Sequence, residues 1–256
     1  MLTIGKDQLA RFREPPRRAF EIEMVAHLAA FSPPLFKTLG EAQMLVVVQQ
    51  GMQAAERHGF DLRGPVRMYL ELMLLFGSRF DTDPQYPWFH ELLTTATDDP
   101  QMQRAGRIHD RVTEYRRQVA GPDDDFTFAA LRRILQFAEQ PLEYPPAQIV
   151  GELARQFAAV YPEKAAYIGE QALTSLIAEG VEAARGLKSP SARGEALMSV
   201  LMFAFGHGCA DDPLYPWIAN TIRDGLAPEP ARWPVRLEKK AVTWLKHVLG
   251  DLPRRS

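Results

Sequence analysis

The side chains with chemical reach in this 256-residue chain are six histidines, one cysteine and several closely spaced acids. The densest group is Gly206-His207-Gly208-Cys209-Ala210-Asp211-Asp212-Pro213. Imidazole and thiolate are zinc ligands, and carboxylates can complete such a shell. A cysteine beside a histidine could also act as a nucleophile. An earlier run of the same shape, Gly77-Ser78-Arg79-Phe80-Asp81-Thr82-Asp83-Pro84, keeps the turn but has neither His nor Cys. The later run is therefore read as a corner with incidental ligands, and Cys209 as a small buried hydrophobe. A metal- or thiol-dependent enzyme using His207 and Cys209 stays open as an alternative.

Other chemistry lacks its partners. His90-Glu91 continues as Leu-Leu, without the second histidine of a zinc protease helix. Asp81, Asp83 and Asp123–Asp125 do not follow the EF-hand order, and an acidic run commonly caps a helix or faces solvent. No nucleophile elbow, P-loop or dinucleotide-binding glycine fingerprint occurs. Glu71 is the one carboxylate in a strongly apolar stretch, with Arg67 at i−4 as a candidate partner. The reading is of no enzyme, no catalytic residue, no cofactor and no metal.

The same corner occurs twice in the chain. Gly77, Asp83, Pro84, Tyr86, Pro87 and Trp88 recur as Gly206, Asp212, Pro213, Tyr215, Pro216 and Trp217, at a constant offset of 129 residues. The glycines suit left-handed C-caps. The aspartates can close a turn through a side-chain oxygen. Pro87 and Pro216 preset the first turn of a following helix. The aromatics bury large area and can hydrogen-bond at their polar edges. All twelve are read as structural corner residues, not as a ligand site.

The offset extends upstream without a gap: Glu23 falls on Glu152, Pro33 on Pro162, Gly40-Glu41 on Gly169-Glu170 and Gly51 on Gly180. Downstream, a one-residue slip aligns Val112-Thr113 with Val242-Thr243. The chain is thus expected to be two copies of one unit, 1–122 and 123–256. The boundary is the breaker Gly121-Pro122 followed by Asp123–Asp125.

Apolar residues recur at helical spacing throughout, and no alternating run predicts a strand. Helices are expected over Phe20–Phe31, Glu41–His58, Pro65–Phe76 and Met102–Val119, each with a counterpart. The counterparts are Ile149–Val160, Glu170–Arg185, Ala192–Phe205 and Val235–Leu249, with Phe126–Glu139 as an additional helix. The fold class is all-α, two tandem helical subdomains packed as one pseudo-symmetric body.

Charge is balanced, with 30 Lys+Arg against 32 Asp+Glu. That removes a global electrostatic case for nucleic acid. The basic residues of Met102–Val119 and of the C-terminal end (Lys239, Lys240, Lys246, Arg254, Arg255) are read as solvated helix faces. The longest apolar stretches, Met44–Val48 and Leu72–Phe76, are far short of a membrane span, so no membrane insertion is expected. The N-terminus lacks the apolar core of a signal peptide, and the single cysteine forms no intrachain disulfide. A cytoplasmic protein is expected.

Four segments carry a resemblance to a known group. They are Met1-Leu2-Thr3-Ile4, Phe20-Glu21 with Met24–Leu28, Gly51–Glu56, and the Gly77, Phe80-Asp81, Asp83-Pro84 and Pro87-Trp88 run. Over residues 1–95 the chain resembles the small helical accessory proteins encoded beside bacterial type VI secretion effectors. The second copy is similar more loosely, and departs where Cys209-Ala210 stands for Phe80-Asp81. The resemblance implies a cytoplasmic adaptor or chaperone whose protein partner is a secreted effector or toxin. An immunity protein neutralising a toxin is the alternative. It transfers no catalytic residues.

Overall fold

The computed structural model describes residues 6–140, 145, 147–187, 191–226 and 233–250. Met1–Ile4, Arg254 and Arg255 lie outside the described residues. Among the described residues there are eleven α-helices and no strand.

The first half contains α1 (Lys6–Phe31), α2 (Pro33–Arg57), α3 (Arg63–Phe76), α4 (Pro87–Thr94) and α5 (Gln101–Val119). After a single 3-10 turn at Pro122–Asp124 come α6 (Asp125–Ala138) and α7 (Ile149–Val160). They are followed by α8 (Pro162–Gly186), α9 (Ala192–Phe205), α10 (Pro216–Leu226) and α11 (Trp233–Gly250). Proline at N1 or N2 opens α2, α4 and α8, where its missing N–H is no loss.

Three helices start well before the residues their periodicity implied, α1 at Lys6 and not Phe20 among them. α2 begins at Pro33 and α8 at Pro162, each crossing a glycine with positive φ: Gly40 (φ 74°, ψ 169°) and Gly169 (φ 81°, ψ 162°). The apolar stripe restarts after the kink, so spacing alone locates only the second segment.

Packing gives two buried clusters. One gathers Leu28, Met44, Val48, Tyr69, Leu70, Phe80, Phe89 and Ile108 from α1–α5 and their corner. The other gathers Leu153, Phe157, Leu176, Ile177, Met198, Cys209, Ile218 and Leu237 from α7–α11 and theirs. α3 and α9 run through the middle of each. Gly51 lets α2 approach α3, because a Cβ there would lie 2.4 Å from Leu70 Cδ2; Gly180 does the same for α8 and α9 at Ser199, 2.7 Å away.

The last helices of the two halves make similar contacts. Tyr115 on α5 packs 5.3 Å from Phe76, and Trp244 on α11 packs 5.0 Å from Phe205. Arg104 and Ile108 are buried on α5 as Trp233 and Leu237 are on α11. Each of these pairs is 129 residues apart, so the contacts keep one offset to the end.

Candidate functional site

The helices α3 and α9 both end on a glycine, Gly77 (φ 92°, ψ 157°) and Gly206 (φ 95°, ψ 154°). These are not the left-handed caps that the sequence implied. They are extended with positive φ, a region only glycine occupies readily. The reason lies in their packing: a Cβ on Gly77 would sit 2.5 Å from Phe205 O, and one on Gly206 would sit 2.8 Å from Phe76 O. The corners lie back to back.

Each aspartate closes its own turn and then reaches across. Asp83 Oδ1 accepts from the Gln85 N–H (2.8 Å), and Asp212 Oδ1 accepts from the Leu214 N–H (2.8 Å). Asp83 Oδ2 accepts from the His207 N–H at 2.8 Å. Asp212 accepts from the Ser78 N–H at 2.7 Å and the Ser78 hydroxyl at 2.6 Å. Residues 78 and 207, like 83 and 212, are 129 apart, so the two cross-bonds exchange equivalent groups. Burial raises the pKa of both carboxyls, and the N–H donors oppose that rise.

The corner aromatics pack on the helix each corner follows. Tyr86 and Trp88 lie 5.0 and 6.4 Å from Phe76, and Tyr215 and Trp217 lie 4.5 and 6.3 Å from Phe205. Trp88 buries its indole N–H without a hydrogen-bond partner, against the expectation of a bonded polar edge. Pro84 and Pro213 are half-buried beside their aspartates, and Gln43 Nε2 donates to Pro213 O at 2.9 Å.

Beside this junction sits a group that the sequence did not single out. Lys164 on α8 is only 5% exposed. Its Nζ donates to Phe203 O at 2.5 Å and faces the rings of Phe203 (4.4 Å) and Tyr86 (5.5 Å). Burial lowers its pKa to about 8, although the Asp83 charge pulls the other way. Nothing in local sequence marks it, since its partners lie at least 39 residues away.

His207 and Cys209 do not pair. The imidazole is held by Thr82 Oγ1 on one nitrogen and Glu179 Oε1 on the other, both at 3.1 Å. The Cys209 thiol is fully buried, and burial together with Asp212 and Asp83 pushes its pKa far up. A thiolate nucleophile needs the opposite environment. Among the described residues, no group of three or more His, Cys, Asp or Glu side chains is placed to hold a metal.

The first half carries polar pairs of its own. His58 Nε2 lies 2.8 Å from Asp81 Oδ2, and the imidazole stacks on Tyr69 at 5.9 Å. Burial would raise the Asp81 pKa, but the His58 contacts, aided by Tyr69, hold it below the usual value. Glu71, the acid noted in an apolar helix, contacts both Arg67 (3.1 Å) and His27 (2.6 Å). Near His58 a cavity of about 760 Å³ opens between the ends of α2 and α4 and the start of α5, with Arg104 in its wall.

A second concavity, about 670 Å³, lies along α10 and α11 and reaches Thr38 on α2. Trp217 and Trp244 supply its apolar surface, and Arg236, Lys239 and Lys240 its charge, against the single acid Asp224. Trp244 is 37% exposed, an unusual position for a large aromatic ring. The sequence reading treated these lysines as a plain solvated face, because the tryptophans come from two different helices.

The chain was compared with family models, curated proteins and solved structures, and no match was found in any of them. Among the described residues, no helix is long and apolar enough to cross a membrane.

Proposed function

We propose that the chain is a non-enzymatic, cytoplasmic protein-binding accessory factor, an adaptor or chaperone for a type VI secretion effector. It is built from two copies of one helical unit, 1–122 and 123–256, packed as a pseudo-symmetric body. The two-copy reading is supported by the reciprocal bonds of Asp83 and Asp212 and by contacts repeated at an offset of 129 residues.

The observation that carries the binding role is the α10–α11 groove. The exposed Trp244 and the half-buried Trp217, rimmed by Arg236, Lys239 and Lys240, match an acidic segment with an apolar anchor. Aromatic anchors inside a charged rim are the usual energetic centre of a protein interface. The twelve corner residues then serve as the joint from which α10 starts, and α10 with α11 lines this groove, which reaches Thr38 on α2.

The test is co-purification with the product of the adjacent effector gene. Capture by the native chain, lost in Trp244→Ala and in Lys239→Glu/Lys240→Glu, is the expected result. No complex with the cognate effector or any spike component overturns it. Deleting the gene should abolish effector delivery while leaving the producing cells viable; self-poisoning would instead identify an immunity protein.

A further inference from the structure

Arg104 stands in the first turn of α5 and is 2% exposed, one of the largest fully buried side chains. Its Nη2 donates to His58 O (2.9 Å) and Leu93 O (3.0 Å), tying the C-terminal ends of α2 and α4 together. Phe60 covers one face of the guanidinium at 4.6 Å. Its Nε is buried without a hydrogen-bond partner among the described residues, and no carboxylate there pairs with the guanidinium. The acid in the cavity wall, Asp99, is bound to Arg107 at 2.8 Å.

The second half shows what the tie requires. At the equivalent place Trp233 Nε1 donates to Leu187 O at 3.1 Å, and residues 187 and 233 stand 129 beyond 58 and 104. A neutral indole does the same work at the end of α8. Hence the charge of Arg104 is not needed to hold a helix end. A buried cation without a counter-ion is costly, and proteins place one where an anion will meet it.

The cavity against Arg104 supplies the room, and Arg57 is a second arginine in its wall. Thr94, Thr97 and Gln101 add neutral polar groups. We propose that this cavity binds a small oxyanion, a phosphate or carboxylate group, with Arg104 as its charge partner and Arg57 as the second cation. A volume of about 760 Å³ also accommodates an organic body attached to that group. This site is separate from the α10–α11 groove and does not depend on the protein-binding reading.

Calorimetric titration and thermal melting of the whole chain, in one arm with inorganic phosphate and in another with succinate, test it. Saturable binding in either arm is expected, with Tm rising by about 3–5 °C at tenfold excess over Kd. The arm that saturates identifies the anion. Arg104→Gln should abolish binding and Arg57→Gln should weaken it about tenfold, whereas Arg117→Gln, on an exposed face, should leave it unchanged. If Arg104→Gln does not fold, Arg57→Gln decides, since it leaves the carbonyl ties in place. No saturable heat in either arm, or equal binding by the native chain and Arg57→Gln, overturns the proposal.

Discussion

The two halves meet the same packing demands with opposite chemistry away from their junction. Where the first half places His58, Asp81 and Arg104, the positions 129 further on are Leu187, Ala210 and Trp233. The carbonyl at the end of the long helix is satisfied in both, by a guanidinium in one and an indole in the other. At the junction there is no such freedom. Gly77 and Gly206 share an unusual backbone conformation, and Asp83 and Asp212 exchange equivalent bonds. A shared joint constrains both halves at once, while each periphery carries its own charge.

The sharpest way to break this comparison is at the glycines. Gly77→Val and Gly206→Val should each cost at least about 3 kcal/mol, from positive-φ strain and overlap with a backbone carbonyl. Equal losses in urea unfolding would match an equivalent joint; a much milder effect at one position would show that the corners are not interchangeable.

Next are the aspartates. Asp83→Ala leaves the buried N–H groups of Gln85 and His207 unpaired, and Asp212→Ala does the same to Leu214 and Ser78. Each should cost roughly 2–3 kcal/mol. A double-mutant cycle should show coupling of about 1 kcal/mol, because both carboxylates hold one joint. Strict additivity would mean that each serves only its own turn.

Lys164 gives a pH signature that Leu35, its counterpart 129 residues earlier, cannot have. In the folded chain the ammonium releases its proton near pH 8, against an ordinary value of 10.5. Between those values the unfolded state binds more protons, so stability rises with pH, by up to ~2–3 kcal/mol in total. The measurement is native stability minus that of Lys164→Met, from pH 7 to 9.5, below most tyrosine titration. A flat difference would refute the buried charge.

The smallest effect belongs to the His58–Asp81 pair, which the second half replaces by Leu187 and Ala210. Because the Asp81 pKa is held down, its stabilisation is present above the ordinary carboxylate range and is lost as pH falls through the depressed folded value. His58→Leu combined with Asp81→Ala should therefore cost only about 1 kcal/mol at pH 7 and nothing in strong acid. A larger loss near neutrality would mark the pair as part of the first core.

Helix existence, the prolines that open helices and the repeated corner were legible because they are local or recur at a constant spacing. Ile149–Val160 and Ala192–Phe205 were located to the residue. The kinks at Gly40 and Gly169 were hidden, since a glycine within a helical pattern does not announce its φ. The Lys164 and Arg104 environments were hidden for another reason: their partners lie on other helices. Arg104 and Trp233 are 129 residues apart, and their different chemistry shows only when the helix ends they bond are placed side by side.

By itself, the sequence determined an all-helical chain, the place of its turns and the repetition of a Gly…Asp-Pro-x-Tyr-Pro-Trp corner. These follow from backbone preferences and apolar period, which act over a few residues. Only the tertiary structure decided that the two corners bond to each other, that His207 turns to Thr82 and Glu179 and not to Cys209, and that two tryptophans meet a basic rim. Those outcomes depend on burial and on groups far apart in the chain, and no local propensity encodes which distant group fills a given bond.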